Sequence, residues 1–145
     1  MTSVEVPFSV ASALPTLSVF DVTNEVSQEV ARCGVSDGIA YVTPTPRSSL
    51  VRVTERETGF FCDLEDLLAR LVPVDLAARE RLIVMLLGPR TEHVPFSDGR
   101  LCLGTWQRVL FFGFNGDPRA EWTLTVVGET LALRSTDPTG PLPVR

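Results

Sequence analysis

The sequence predicts an α+β domain built on an antiparallel β-sheet or sandwich with two to three helices. Three observations lead there. Helical periodicity is confined to segments that precede Gly88, and strand-like segments crowd the region after Thr91. The late strands are also separated by tight turn signals at Gly99, Asn115-Gly116 and Gly128. Strands joined by short turns pair antiparallel, whereas a parallel wound sheet needs a crossover between each pair.

The elements follow in order. Between Val4 and Phe20 lie two short β-rich stretches broken at Pro15. Asp21 then caps a helix through about Cys33; Val22, Val26 and Val30 recur every four residues and Gly34 supplies the stop. Gly38–Val42 and Ser49–Thr54 are rich in Val, Ile, Tyr and Thr and read as two strands around a loop stiffened by Pro44 and Pro46. Asp63 opens a second helix with a Leu64, Leu67, Leu68, Leu71 stripe that Pro73 ends. A third runs from Asp75 to about Leu87, before Gly88 and Pro89, and its Leu82–Leu87 half is apolar all round. Strands are expected at Thr91–Val94, Leu101–Leu103, Gln107–Phe114, Glu121–Val127 and Thr130–Arg134. Residues 1–134 read as one domain and 135–145 as a Pro/Gly-rich flexible tail.

Composition excludes more than it proposes. All 13 basic residues are arginine, so Schiff-base chemistry and the lysine of a phosphate loop are absent. One histidine, His93, and three cysteines without metal spacing, Cys33, Cys62 and Cys102, leave no zinc-finger or zincin pattern. No apolar run nears the roughly 18 residues of a membrane span and no leader pattern opens the chain, so a reduced, cytoplasmic protein is expected, with the cysteines as small core hydrophobes. A net charge of −5 and few aromatics argue against a nucleic-acid groove. Neither nucleic acid nor membrane is an expected partner.

The stretch from Pro95 to Gln107, with Gly99-Arg100-Leu101 and Gly104-Thr105-Trp106-Gln107, is followed by Phe114-Asn115-Gly116, Pro118-Arg119 and Val127-Gly128-Glu129. This pattern resembles the YjbQ family. Glu55, Glu57, Gly59 and Asp63 fall where that family has an N-E-x-E-P-G-L-x-x-D run, and Leu71-Val72-Pro73 and Leu86-Leu87-Gly88 match its L-V-P and L-L-G. The resemblance implies a small α+β domain, a homotrimer, and secondary thiamine-phosphate synthase activity at a pocket of metal-binding histidines.

The sequence departs from the family at each of those histidines. The first position falls on Thr45 or Pro46, the loop of the second is deleted, and the paired third falls on Arg79 and Arg81. The family's acidic residue before its last turn falls on Gly113, and His93 matches no ligand position. Guanidinium stays protonated and has no lone pair for a metal, so neither a metal nor another cofactor is expected.

Arg47, Arg79 and Arg81 suggest an anion pocket for a small phosphate-like ligand, or else ordinary surface arginines. Glu55 and Glu57 read as an acid/base pair on one strand face, or as carboxylates paired with Arg52 and Arg56. Trp106 and Gln107 line a substrate pocket by the resemblance; Trp106 reads equally as core. The apolar Val109–Phe112 run exceeds what one small core face needs, which suggests burial between subunits. Two functional readings result. One is a divergent homo-oligomeric binding or structural protein with an anion pocket; the other is an enzyme of phosphate-transfer or thiamine-phosphate synthase type using Glu55 and Gln107.

Overall fold

The computed structural model describes residues 14–114 and 119–130. The expected flexible tail and the Thr130–Arg134 strand beyond its first residue lie outside them. The chain runs β1 (Ser18–Asp21), α1 (Thr23–Arg32), β2 (Val35–Pro44), β3 (Ser49–Glu55), α2 (Thr58–Leu71), α3 (Arg79–Leu87), β4 (Glu92–Ser97), β5 (Arg100–Leu101), β6 (Gln107–Gly113) and β7 (Trp122–Thr130). Two antiparallel sheets result, ordered β1-β6-β3 and β5-β4-β2-β7. The expected α+β class with two to three helices is what forms.

Strand β6 explains the layering. It is the central strand of the first sheet, and its side chains alternate between two cores. Val109 and Phe111 join Val26, Val30, Val42 and Trp122 in a core that links α1 with both sheets. Leu110 and Phe112 join Leu17, Phe61, Leu68 and Ile83 in a second core beneath α2 and α3. A strand covered on both faces is apolar at every position. This corrects the subunit-interface reading of Val109–Phe112: all four side chains are buried within a single chain. Burying each Leu or Phe contributes about 1.5–3 kcal/mol, so the run is accounted for by folding alone.

Element boundaries shift for identifiable reasons. Helix α2 begins at Thr58, ahead of the expected Asp63, because the Glu57 carboxylate accepts from Gly59 N at 2.8 Å and Phe60 N at 2.7 Å. Two of the first turn's orphan donors are thereby satisfied, which offsets the weak helix preference of Gly59. Helix α3 begins at Arg79 instead of Asp75, after a turn in which Arg79 N donates to Leu76 O at 3.2 Å. Strand β4 continues through Pro95 to Ser97, and Asp98-Gly99, both at positive φ, make the tight turn into β5.

Gly128 does not punctuate a turn. It lies inside β7 opposite Gly38 of β2, where a Cβ would stand 2.0 Å from Asp37 O. The two backbones approach closely here, beside the register shift at Val35/Asp37, so glycine is required at this position. The cysteines are a further correction. Cys33, Cys62 and Cys102 are free and exposed, following α1, on α2 and just after β5 respectively. None fills the core.

Candidate functional site

The residues singled out by sequence separate into three places. At the first, Glu55 and Gln107 are direct cross-strand partners at the ends of β3 and β6. Gln107 Oε1 accepts from Gly104 N at 2.7 Å and Gln107 N donates to Gly104 O at 3.1 Å, closing a turn that presents Trp106. Trp106 is 74% exposed and borders a cleft with Glu55, Glu57, Arg56 and Arg108. Glu57 is held by its cap of α2, so the two carboxylates do not act as a symmetric pair. Among the described residues the Glu55 side chain has no hydrogen-bond or ion-pair partner.

Beneath this cleft lies a charged centre that sequence reasoning saw only as a helix cap. Buried Asp21 accepts through Oδ2 from Arg108 Nε at 2.7 Å and from Arg56 Nη1 at 3.3 Å. Its Oδ1 accepts from the Thr23 amide at 3.0 Å and the Thr23 hydroxyl at 2.6 Å. Burial acts to raise the Asp21 carboxyl, but the hydrogen bonds from Arg108 and Thr23 and the Arg108 charge outweigh it and hold it below its ordinary value. Only the contact between β1 and β6 brings Asp21 and Arg108 together, so no local signal announces the pair.

The second place holds Arg47 and Arg81. Arg47 sits in the loop between β2 and β3, Arg81 on α3, and both border one shallow concavity with Val84, Met85 and Gly88. Neither guanidinium has a carboxylate partner among the described residues. The loop is braced by Arg90, whose Nε donates to Ser49 O and Nη2 to Pro44 O, both at 3.0 Å. Sequence reasoning passed over Arg90; its fork suits carbonyls scattered around an irregular loop.

Arg79 is apart from both. It is buried at the start of α3, donating from Nε to Val72 O and from Nη1 to Thr16 Oγ1, each at 3.0 Å. Glu65 Oε1 accepts from Thr16 N and Leu17 N in the same region. Arg79 thus ties the α2–α3 connection to the approach to β1, and its Nη2 has no partner among the described residues.

The positions at which the resemblance leads one to expect histidine do not fit a metal here. Arg79 is committed to oxygen acceptors, and Arg81 and Thr45 are exposed. Among the described residues no three His, Cys, Asp or Glu side chains are grouped to hold an ion. His93 is exposed on β4, opposite Tyr41 of β2, with ring centroids 6.1 Å apart.

Two stacked antiparallel sheets with α2 and α3 against the outer face of one define a small α+β sandwich protein. The same architecture is found in an uncharacterised YjbQ/UPF0047-family protein from Clostridium acetobutylicum, with a TM-score of 0.71, 22% identity and coverage of 88% of this chain and 100% of that one. The model of the family described as UPF0047 protein YjbQ-like matches residues 12–129, and the chain belongs to that family. A UPF0047 protein of Archaeoglobus fulgidus is 37% identical over 103 residues, covering 63% of this chain and 80% of the relative. One from Methanothermobacter thermautotrophicus is 29% identical over 122 residues, covering 78% and 85%. Among the described residues no helix is long and apolar enough to cross a membrane.

Proposed function

We propose that this YjbQ-family member is a self-associating binding protein for a small anion, in which a metal-dependent activity has been lost. The observation that carries this reading is the meeting of Arg47 and Arg81, 34 positions apart in sequence, at one concavity to which no carboxylate of the described residues contributes. Two guanidiniums left uncompensated in a chain of net charge −5 favour a phosphate or carboxylate ligand. Arg79 does not contribute to this site, because its guanidinium is spent inside the fold.

Calorimetric titration with inorganic phosphate tests the proposal. Binding that is lost in both Arg47→Ala and Arg81→Ala is expected; no heat from phosphate or sulfate would overturn the anion site. Stoichiometric zinc in the purified protein, by elemental analysis, would overturn the loss of metal chemistry.

A second reading is favoured by the opposition of Glu55 and Gln107 beside exposed Trp106. There the chain would be an enzyme of phosphate-transfer or thiamine-phosphate synthase type, with Glu55 as its proton-transferring group. Rescue of a thiamine-requiring strain by the wild type, and not by Glu55→Gln, is the outcome it requires.

A further inference from the structure

Alternate residues of β3, Leu50, Arg52 and Thr54, share one face of their strand, and all three border an apolar groove of about 200 Å³. Phe112, the partner of Leu50 on β6, borders it too, as do Phe60 and Leu64, one turn apart on α2, and Leu87 at the end of α3. Among the described residues Arg52 is the single charged group on this border. Its Nη1 donates to Pro89 O at 2.9 Å and its Nη2 to Leu87 O at 2.7 Å, so the fork is fixed on carbonyls at and just past the end of α3 and no carboxylate neutralises it. Two of the five guanidinium N–H bonds are thereby used, which leaves the others without a partner among the described residues. The Thr54 hydroxyl, two residues further along the same face, is also unpartnered among them.

From these features we infer that the groove binds a compact apolar monocarboxylate, whose ring or short branched chain packs on Leu50, Leu64 and Phe112 while its carboxylate lies against Arg52 and Thr54. An apolar cleft with a few convergent polar groups has the chemistry of a small-molecule site. The groove exceeds the roughly 150 Å³ apolar cavity that accepts benzene, and it falls short of the roughly 300–1,000 Å³ of sites for larger ligands. One ring is therefore the size it takes.

Charge selects the head group. A single fixed guanidinium matches one carboxylate, with which it forms charge-assisted hydrogen bonds. A phosphate carries more charge, and most of its oxygens would lose their water against the apolar lining without gaining a partner. This separates the groove from the concavity of Arg47 and Arg81, which shares none of its lining residues and sets two guanidiniums against one anion.

The experiment titrates the full chain with phenylacetate by calorimetry, with thermal unfolding of each variant. Saturable binding with a Kd of about 1 mM or tighter is expected, at least tenfold weaker for the uncharged 2-phenylethanol, and undisturbed by inorganic phosphate. Leu64→Trp, which fills the groove, is expected to weaken phenylacetate at least tenfold. Phe60→Ala, at a half-exposed position where the fold survives, is expected to weaken it several-fold. No saturation by phenylacetate at ten times the expected Kd overturns the inference, and equal affinity for 2-phenylethanol overturns the role of Arg52. Binding that survives both groove variants but is lost in Arg81→Ala places the ligand at the other concavity and overturns the site. A Leu64→Trp protein whose molar mass by light scattering departs from the wild type would put another copy of the chain in the groove, and overturns it too.

Discussion

Replacing Asp21 with Asn tests the charged centre under the Glu55–Gln107 cleft with almost no change of shape. The amide oxygen can keep both Thr23 hydrogen bonds, but the new NH₂ stands where Oδ2 accepted from Arg108 and Arg56. A charge-assisted hydrogen bond contributes about 1.5–3 kcal/mol, and Arg108, about a third exposed, belongs at the lower end of that range. The half-exposed Arg56 adds about 0–1 kcal/mol. The loss at pH 7 is therefore about 1.5–3 kcal/mol, a fall in Tm of roughly 3–12 °C for a chain of this size. Urea unfolding of both proteins at pH 7 and at progressively lower pH is the assay. The folded Asp21 carboxyl is held below its ordinary value, so its stabilisation is complete above the unfolded value of about 3.9 and is lost as pH falls through the folded one. Asn does not titrate. The gap between the two proteins must then narrow below about pH 4. A gap under about 0.5 kcal/mol at pH 7, or one that widens on acidification, would refute the reasoning.

Other substitutions separate structural from exposed residues. Gly128→Ala is expected to destabilise by about 1–3 kcal/mol or more and to loosen amide protection along β2 and β7, since its Cβ meets Asp37 O and the Gly38 Cα. Arg79→Ala, which leaves Thr16 and Val72 without their donor inside the fold, should cost about 2–4 kcal/mol, while Arg81→Ala stays within about 0.5 kcal/mol of wild type in urea unfolding. Glu57→Ala should cost about 1 kcal/mol in the same assay, with fraying confined to the first turn of α2 by hydrogen exchange.

Element types were legible in the sequence because they rest on local periodicity: the Val22/Val26/Val30 spacing, the Leu64/Leu68 stripe and the Asp98-Gly99 turn all carry their meaning within a few residues. What failed depends on partners distant in sequence. Gly128 looks like punctuation until Asp37 is brought against it, and Val109–Phe112 looks like surplus surface until α2 and α3 are seen to cover its second face. The cysteines failed differently. Their mean tendency to be buried says nothing about positions just beyond α1 or β5, where the chain is turning toward solvent.

The candidate site shows the same division, and one of its failures was avoidable. Arg79 and Arg81 are two residues apart on a helix, hence about 200° apart around its axis, and such neighbours do not face one another. If one looks outward over the concavity shared with Arg47, the other must look inward, as Arg79 does toward Thr16 and Val72. No rigid rotation of α3 can bring both guanidiniums to one anion. The two positions that the resemblance pairs on this helix are thus a strut, Arg79, and a surface charge, Arg81. Only Arg81 remains available for a ligand, and Arg47 has to arrive from a loop whose shape Arg90 sets. Arg90→Ala should thus weaken phosphate binding although Arg90 borders no part of the concavity; phosphate affinity left unchanged by that substitution would separate the loop's geometry from the anion site.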